Sequence, residues 1–199
     1  MVSRLADLQN IENSTIPSII ETAGVDWVLE LAPIESPSPA SAVPRYRALA
    51  DGSDWTWPFR APLDSLPFAD ESLPAILVRH LFDGNRGRAV LDESLRCLAP
   101  GGALISVSAN PWHRRTWKAM GRAAWRLPSW PAFLIEHARR DLRLDVPARQ
   151  QWSGWLPGVS PLLVLFARKP PRGSRIERID FGRQRVPVRP MAASNCRAA

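Results

Sequence analysis

The chain has 199 residues, of which 45% are hydrophobic and 23% charged, so we expect one domain with a buried core and exclude a fibrous repeat or wholesale disorder. The formal net charge of +7 resides in the C-terminal segment 168–199, where nine basic residues oppose two acidic ones. Apolar runs are far shorter than the ~20 residues of a membrane span, and no signal-peptide pattern opens the chain, so we expect a cytoplasmic protein without a transmembrane segment.

Apolar, β-favouring segments alternate with segments of helical periodicity, which is typical of an α/β domain. Leu91, Leu95 and Leu98 recur at helical spacing, and Pro-Gly-Gly at 100–102 follows them as a stop signal. A strand–helix–strand unit of this length predicts a right-handed parallel crossover. The predicted strands are 26–31, 46–50, 75–81 and 103–108, then an antiparallel edge pair of 140–146 with 162–168; the predicted helices are 85–98, capped by Asn85, and 112–126.

The sequence contains only two cysteines. Cys97 falls within the predicted helix 85–98, and Cys196 lies in the basic terminus. Two such residues do not make a disulfide framework or a structural zinc site on their own, so no metal site is predicted.

Two runs of sequence carry a family resemblance. Residues 66–82 read LPFADESLPAILVRHLF, and residues 89–112 read AVLDESLRCLAPGGALISVSANPW. They resemble class I S-adenosylmethionine-dependent methyltransferases of the small-molecule type, and more narrowly a short bacterial group with a basic C-terminus. The resemblance implies a Rossmann-like, mostly parallel sheet of seven strands with flanking helices and an antiparallel last strand. The residues that carry it are Leu66, Pro67, Phe68, His80, Glu93, Arg96, Pro100, Gly101 and Gly102.

The resemblance implies S-adenosylmethionine as cofactor, lying over the carboxyl ends of the first strands. In the family, the first strand ends in an acidic residue followed by a glycine-rich loop. Glu30 matches the acid, but Ala32 and Pro33 stand where the first glycines are expected, so the loop is degenerate. The segment 33–44 contains four prolines and is not expected to form the family's first helix.

The implied site residues follow the carboxyl ends of the predicted strands. Asp51 takes the place of the family's ribose-binding acid, and Asp64 replaces an adenine-side acid after a small shift. The implied cofactor-binding residues are Glu30, Leu31, Ala32, Asp51, Asp64, Leu66, Arg79 and His80.

The same side chains have simpler interpretations. Glu30 is then a charged strand residue, Asp51 and Asp64 are turn formers, and His80 is a hydrogen-bonded structural histidine. His113 follows the strand 103–108 and could line the acceptor site. No catalytic residue is predicted, because methyl transfer needs mainly alignment of nucleophile, methyl and sulfur.

The predicted helix 112–126 has five basic residues and no acidic one. It is either a sheet-covering helix with a solvated basic side or a helix that contacts nucleic acid or a membrane surface. We predict a methyltransferase-like domain over 1–169 and a basic, disordered tail over 170–199, which either binds nucleic acid phosphates or only solubilises the chain.

Two main functional hypotheses follow. The leading one is an S-adenosylmethionine-dependent methyltransferase acting on an unidentified small-molecule or macromolecular acceptor. The alternative is a catalytically silent protein of the same fold that binds nucleic acid or a protein partner through the basic helix and tail. A third hypothesis is a peripheral membrane protein that uses the Trp-rich basic helix.

Overall fold

A computed structural model describes residues 2–144 and 160–172 of the chain. The helices are α1 (Val2–Ala23), α2 (Asn85–Cys97), α3 (Arg114–Met120) and α4 (Trp130–Ala138), with a 3-10 helix at Gly121–Arg126. The strands are β1 (Val28–Pro33), β2 (Arg45–Asp51), β3 (Asp54–Trp57), β4 (Ala61–Pro62), β5 (Leu73–Arg79), β6 (Leu98–Ala109), β7 (Arg143–Leu144) and β8 (Leu162–Arg168).

The described strands form one sheet in the order β4-β3-β2-β1-β5-β6-β8-β7. β1 pairs in parallel with β2 and with β5, and β5 pairs in parallel with β6. β8 is antiparallel to both β6 and β7. The predicted Rossmann-like sheet, with a parallel centre and an antiparallel last strand, is therefore confirmed.

Both faces of the sheet are buried. Because side chains alternate along each strand, neighbouring residues of one strand pack into opposite cores. On β5, Ile76 and Val78 pack into the core that includes Leu91 of α2. Ala75 and Leu77 point to the opposite core, which α1 covers. The α1 residues of that core are Ile16, Ile19, Ile20 and Ala23.

The edge strands β3 and β4 were not predicted; added to the six predicted strands, they make the described sheet eight strands wide, whereas the resemblance implies seven. The chain turns back after β2, so that Asp51 pairs with Asp54 in an antiparallel register. Gly52, between them, has φ 59°, which a two-residue hairpin turn requires. Residues 34–44 connect β1 to β2 without a helix, as their prolines predict.

Two helix predictions need correction, and two helices were not predicted. Gly84, and not Asn85, occupies the N-cap position of α2, and no side chain caps the helix. The predicted helix 112–126 is broken, because Gly121 has φ 58° and separates α3 from the 3-10 helix. α1 and α4 were not predicted; Pro131 lies in the first turn of α4, where proline is tolerated.

Two predictions around the last strands are also adjusted. β6 begins at Leu98, directly after α2, so Gly101 lies within the register shift that opens the strand and not in a loop before it. Of the predicted strand 140–146, only Arg143 and Leu144 form β7, and residues 145–146 lie outside the described residues. Most of the predicted tail, residues 173–199, also lies outside them.

Candidate functional site

Open α/β sheets bind ligands at the carboxyl ends of their parallel strands. The chain goes from β1 toward one side of the sheet and from β5 toward the other, so the switch point lies between β1 and β5. Pro33 ends β1 at this edge, Asp51 ends β2, and His80 follows β5. β4 runs in the same direction as β2, so the segment after Pro62 starts from the same edge.

Glu30 lies on the α1 face of β1 and is fully buried. Its carboxylate accepts hydrogen bonds from Arg79 Nη1 at 2.6 Å and from Ser38 Oγ at 2.9 Å. Arg45 and Arg47 of β2 add ion pairs at 3.4 and 3.6 Å. Three guanidinium groups therefore surround this one carboxylate.

A second buried carboxylate, Glu12 of α1, joins the same group. Glu12 pairs with Arg79, and His80 Nε2 donates a hydrogen bond to its Oε1 at 2.6 Å. Burial opposes the ionisation of Glu12, but the charges and hydrogen bonds of His80 and Arg79 outweigh burial and lower its pKa. Sequence reasoning missed Glu12, although it lies four residues before Ile16 and therefore on the apolar face of α1.

The charged residues described above and His80, called here the arginine–glutamate cluster, hold the proline-rich connection between β1 and β2 against the sheet. Arg79 Nη1 donates to the Pro37 carbonyl at 2.9 Å, and Arg47 donates to the Ser36 carbonyl. The connection thus occupies, with α1, the face that a crossover helix covers in a parallel β–α–β unit. The members of the arginine–glutamate cluster are Glu12, Glu30, Arg45, Arg47, Arg79 and His80.

Two members of the cluster have unusual environments. Burial and the positive charges of Arg79 and Arg47 lower the pKa of Arg45. The negative charge of Glu30 acts to raise it but is outweighed. His80 has φ 54°, a left-handed conformation that is uncommon for residues other than glycine. Such backbone conformations are concentrated at functional sites, so His80 stays a candidate site residue at the switch point.

The two predicted aspartates stay outside the cluster. Asp51 is exposed at the carboxyl end of β2, and its side chain has no hydrogen-bond or ion-pair partner in the described part of the chain. Asp64 is also exposed. The backbone N–H of Leu63, next to it, donates to the Ser53 carbonyl at 3.1 Å, which keeps this segment beside the hairpin turn.

The remaining predicted cofactor residues are part of the core. Leu31 and Ala32 are fully buried, and Leu66 is nearly so. The Leu66 N–H donates to Glu93 Oε1 at 2.6 Å, which holds the segment after β4 against α2. The structure thus brings Glu30, Arg79 and His80 together, while the other predicted residues do not join them.

Glu93 and Arg96, two of the residues that carry the family resemblance, have a structural role. Arg96 Nη2 donates to Glu93 Oε1 at 2.6 Å and to the Phe68 carbonyl at 2.9 Å, and Arg96 Nη1 pairs with Asp70. The hydrogen bonds from Arg96 lower the pKa of Glu93. The pair therefore clamps the connection that leads into β5.

The other two histidines are not part of this group. His113 caps α3 by accepting a hydrogen bond from the Arg115 N–H at 3.2 Å, and burial and the Arg115 charge lower its pKa. His137, which sequence reasoning did not consider, is fully buried: its Nδ1 donates to the Phe133 carbonyl at 2.7 Å and its Nε2 accepts from Ser106 Oγ at 2.8 Å. Burial lowers its pKa, so it is a neutral structural residue.

Across residues 2–144 and 160–172, no group of three or more His, Cys, Asp or Glu side chains is arranged to hold a metal ion. Within the same residues, no helix is long and apolar enough to cross a membrane.

No protein-family model and no curated protein matches the sequence. Solved structures do match. SpnF, a [4+2]-cyclase, superposes with a TM-score of 0.52 at 16% identity, over 82% of this chain and 82% of its own. The CurJ carbon methyltransferase gives 0.51 at 12% identity, over 79% of this chain and 54% of its own.

A SAM-dependent methyltransferase from Aquifex aeolicus is also similar, with a TM-score of 0.42 at 12% identity, over 55% of this chain. This chain spans only 53% of that protein's length. Together with the sheet order, the two superpositions with TM-scores above 0.5 show the architecture: the chain has the fold of the class I S-adenosylmethionine-dependent methyltransferases.

Proposed function

We propose that the protein is an S-adenosylmethionine-dependent methyltransferase that binds its cofactor over the carboxyl ends of β1, β2 and β5. The observation that supports this most directly is Asp51, an exposed carboxylate at the end of β2 without a partner in the described residues. An acid at the end of the second strand is the group that accepts hydrogen bonds from ribose hydroxyls in such sheets. Asp51 therefore fits the ribose of the cofactor.

When bound, the cofactor would supply an electrophilic methyl group on its sulfonium. The chain would contribute binding and orientation. Asp51 would accept the ribose hydroxyls, and His80, held by Glu12 at the switch point, would line the cleft. The acceptor remains unidentified, and no residue is assigned to proton transfer, because alignment is the main requirement of methyl transfer.

Calorimetric titration with S-adenosylhomocysteine tests the proposal. We expect saturable binding to the wild type and about tenfold weaker binding to Asp51→Asn, since the ribose hydroxyls would then donate to a neutral acceptor instead of a charged one. Asp26→Asn is the matched control, because Asp26 is exposed beyond the opposite, amino end of β1. Glu30→Ala is unsuitable, since it would leave the buried Arg79 and the partly buried Arg45 and Arg47 without their shared carboxylate.

The second candidate is a catalytically silent protein of this fold, and a specific observation favours it. Ala32 and Pro33 carry side chains where a backbone approach to the cofactor needs glycine. The pairing with β2 also continues past them, since the Ile34 N–H donates to the Ala50 carbonyl at 3.0 Å. Absence of both binding heat and a melting shift at millimolar ligand would overturn the methyltransferase proposal and favour the silent fold.

A further inference from the structure

The segment 112–126, which follows β6, presents an unusual surface, called here the Trp–basic surface. No Asp or Glu occurs from residue 110 to residue 135. Two tryptophans project into solvent, Trp112 with 61% and Trp125 with 72% of its surface exposed. The exposed cations of the surface are Arg114, Arg115, Lys118, Arg122 and Arg126.

These cations differ from most arginines of the fold in lacking carboxylate partners. In the described part of the chain, no side-chain hydrogen bond or ion pair involves any of the five, whereas Arg96 and Arg140 each engage two carboxylates. With about 100° per residue, Arg114, Lys118 and Arg115 of α3 share one solvent-facing arc. The buried Thr116 lies on the other side of α3. The surface therefore has concentrated positive charge that nothing described neutralises.

The tryptophans do not serve as the packing face that an amphipathic sheet-covering helix would bury. Gly121 breaks the helix, and Trp125 beyond it is exposed, with its ring in an edge-on contact with Trp117 at a centroid distance of 5.1 Å. An indole combines an apolar body with an N–H donor and is suited to a boundary between water and an apolar phase. Cations beside exposed indoles fit a partner that is anionic at its surface and has an apolar layer below it.

The exposed side chains between 112 and 126 are either cationic or apolar. The only neutral hydroxyl there, Thr116, is buried, and no Ser, Asn or Gln occurs in the segment. Nucleic acid surfaces commonly add such neutral donors to phosphates and bases, whereas interfacial anchors on lipid combine Trp with Lys and Arg. We propose that the Trp–basic surface docks the protein on anionic phospholipid membranes, with the cations at the headgroups and Trp112 and Trp125 at the acyl boundary.

Vesicle co-sedimentation of the full chain tests this proposal, with phosphatidylcholine vesicles that contain or lack phosphatidylglycerol. We expect binding only to the anionic vesicles, weakening with added salt. Lys118→Glu/Arg122→Glu should weaken binding roughly a hundredfold, because two attractions become repulsions. Trp112→Ala/Trp125→Ala should weaken binding at unchanged net charge.

Matched controls lie at the β3–β4 edge of the sheet. Trp57 is 61% exposed on β3, and Arg60 is exposed before β4. Trp57→Ala and Arg60→Glu should bind vesicles as the wild type does, and thermal unfolding should show that all variants are folded.

Three outcomes would overturn the proposal. One is equal weakening by the control variants. Another is full vesicle binding by the Lys118/Arg122 variant, which would assign binding to the basic terminus. The third is loss of RNA or DNA binding in that variant with vesicle binding unchanged, which would assign the surface to nucleic acid.

Discussion

The arginine–glutamate cluster predicts a large loss of stability when its central carboxylate is neutralised. Glu30→Gln keeps the size of a side chain that is 0% exposed and removes the charge that faces Arg79, Arg45 and Arg47 at 2.6, 3.4 and 3.6 Å. Breaking a buried ion pair from one side costs about 3–5 kcal/mol. Because Arg47 is 28% exposed and Arg79 keeps Glu12, we expect about 3 kcal/mol, near the lower end.

Urea unfolding followed by tryptophan fluorescence measures this loss. With a slope of about 2 kcal/mol per molar, the midpoint should fall by about 1.5 M. Glu21→Gln on the exposed side of α1 is the control and should change stability by less than about 0.5 kcal/mol. Adding Arg79→Met to Glu30→Gln should destabilise less than the sum of the single changes, by about 0.5–3 kcal/mol. A loss below about 1 kcal/mol for Glu30→Gln, with additive effects, would refute the cluster's structural role.

Other predictions concern single buried positions. Gly87→Ala should destabilise by about 1–3 kcal/mol in urea unfolding, since a Cβ there would lie 2.8 Å from the Phe82 Cα; unchanged stability would contradict this close approach. Burial keeps His137 neutral in the folded state, whereas in the unfolded state its imidazole binds a proton below its ordinary pKa of 6.5. The free energy of unfolding should therefore fall as the pH drops through that value. The fall should be shallower in His137→Asn, and equal slopes would speak against the assignment. Burial raises the pKa of Cys97 to about 11; in a Cys196→Ala protein, iodoacetamide at pH 8 should therefore react only after denaturant is added, and rapid labelling of the native protein would be the contrary result.

The exposed or buried state of several predicted residues could not be obtained from sequence. Glu30 matches a strand-end acid, but its burial depends on arginines from β2 and β5 that only the sheet pairing brings to it. Asp51 is predicted as an acid that follows the second strand, but the hairpin to β3 that leaves it exposed was not predicted. Trp125 follows the apolar period of a helix that Gly121 interrupts, so its exposure differs from the periodic expectation.

The sequence by itself determined the elements that depend on local signals: the apolar strands at β1, β5, β6 and β8, the helix α2, and the proline-rich connection without a helix. These signals act over a few residues, through backbone dihedrals and side-chain periodicity, and are legible in one dimension. Only the tertiary structure decided the contents of the candidate site. Glu12 and Arg79 are 67 residues apart in the chain and meet because α1 packs over the sheet. A buried charge is stabilised by the partners that the fold places next to it. That placement depends on tertiary packing, which no local sequence pattern encodes.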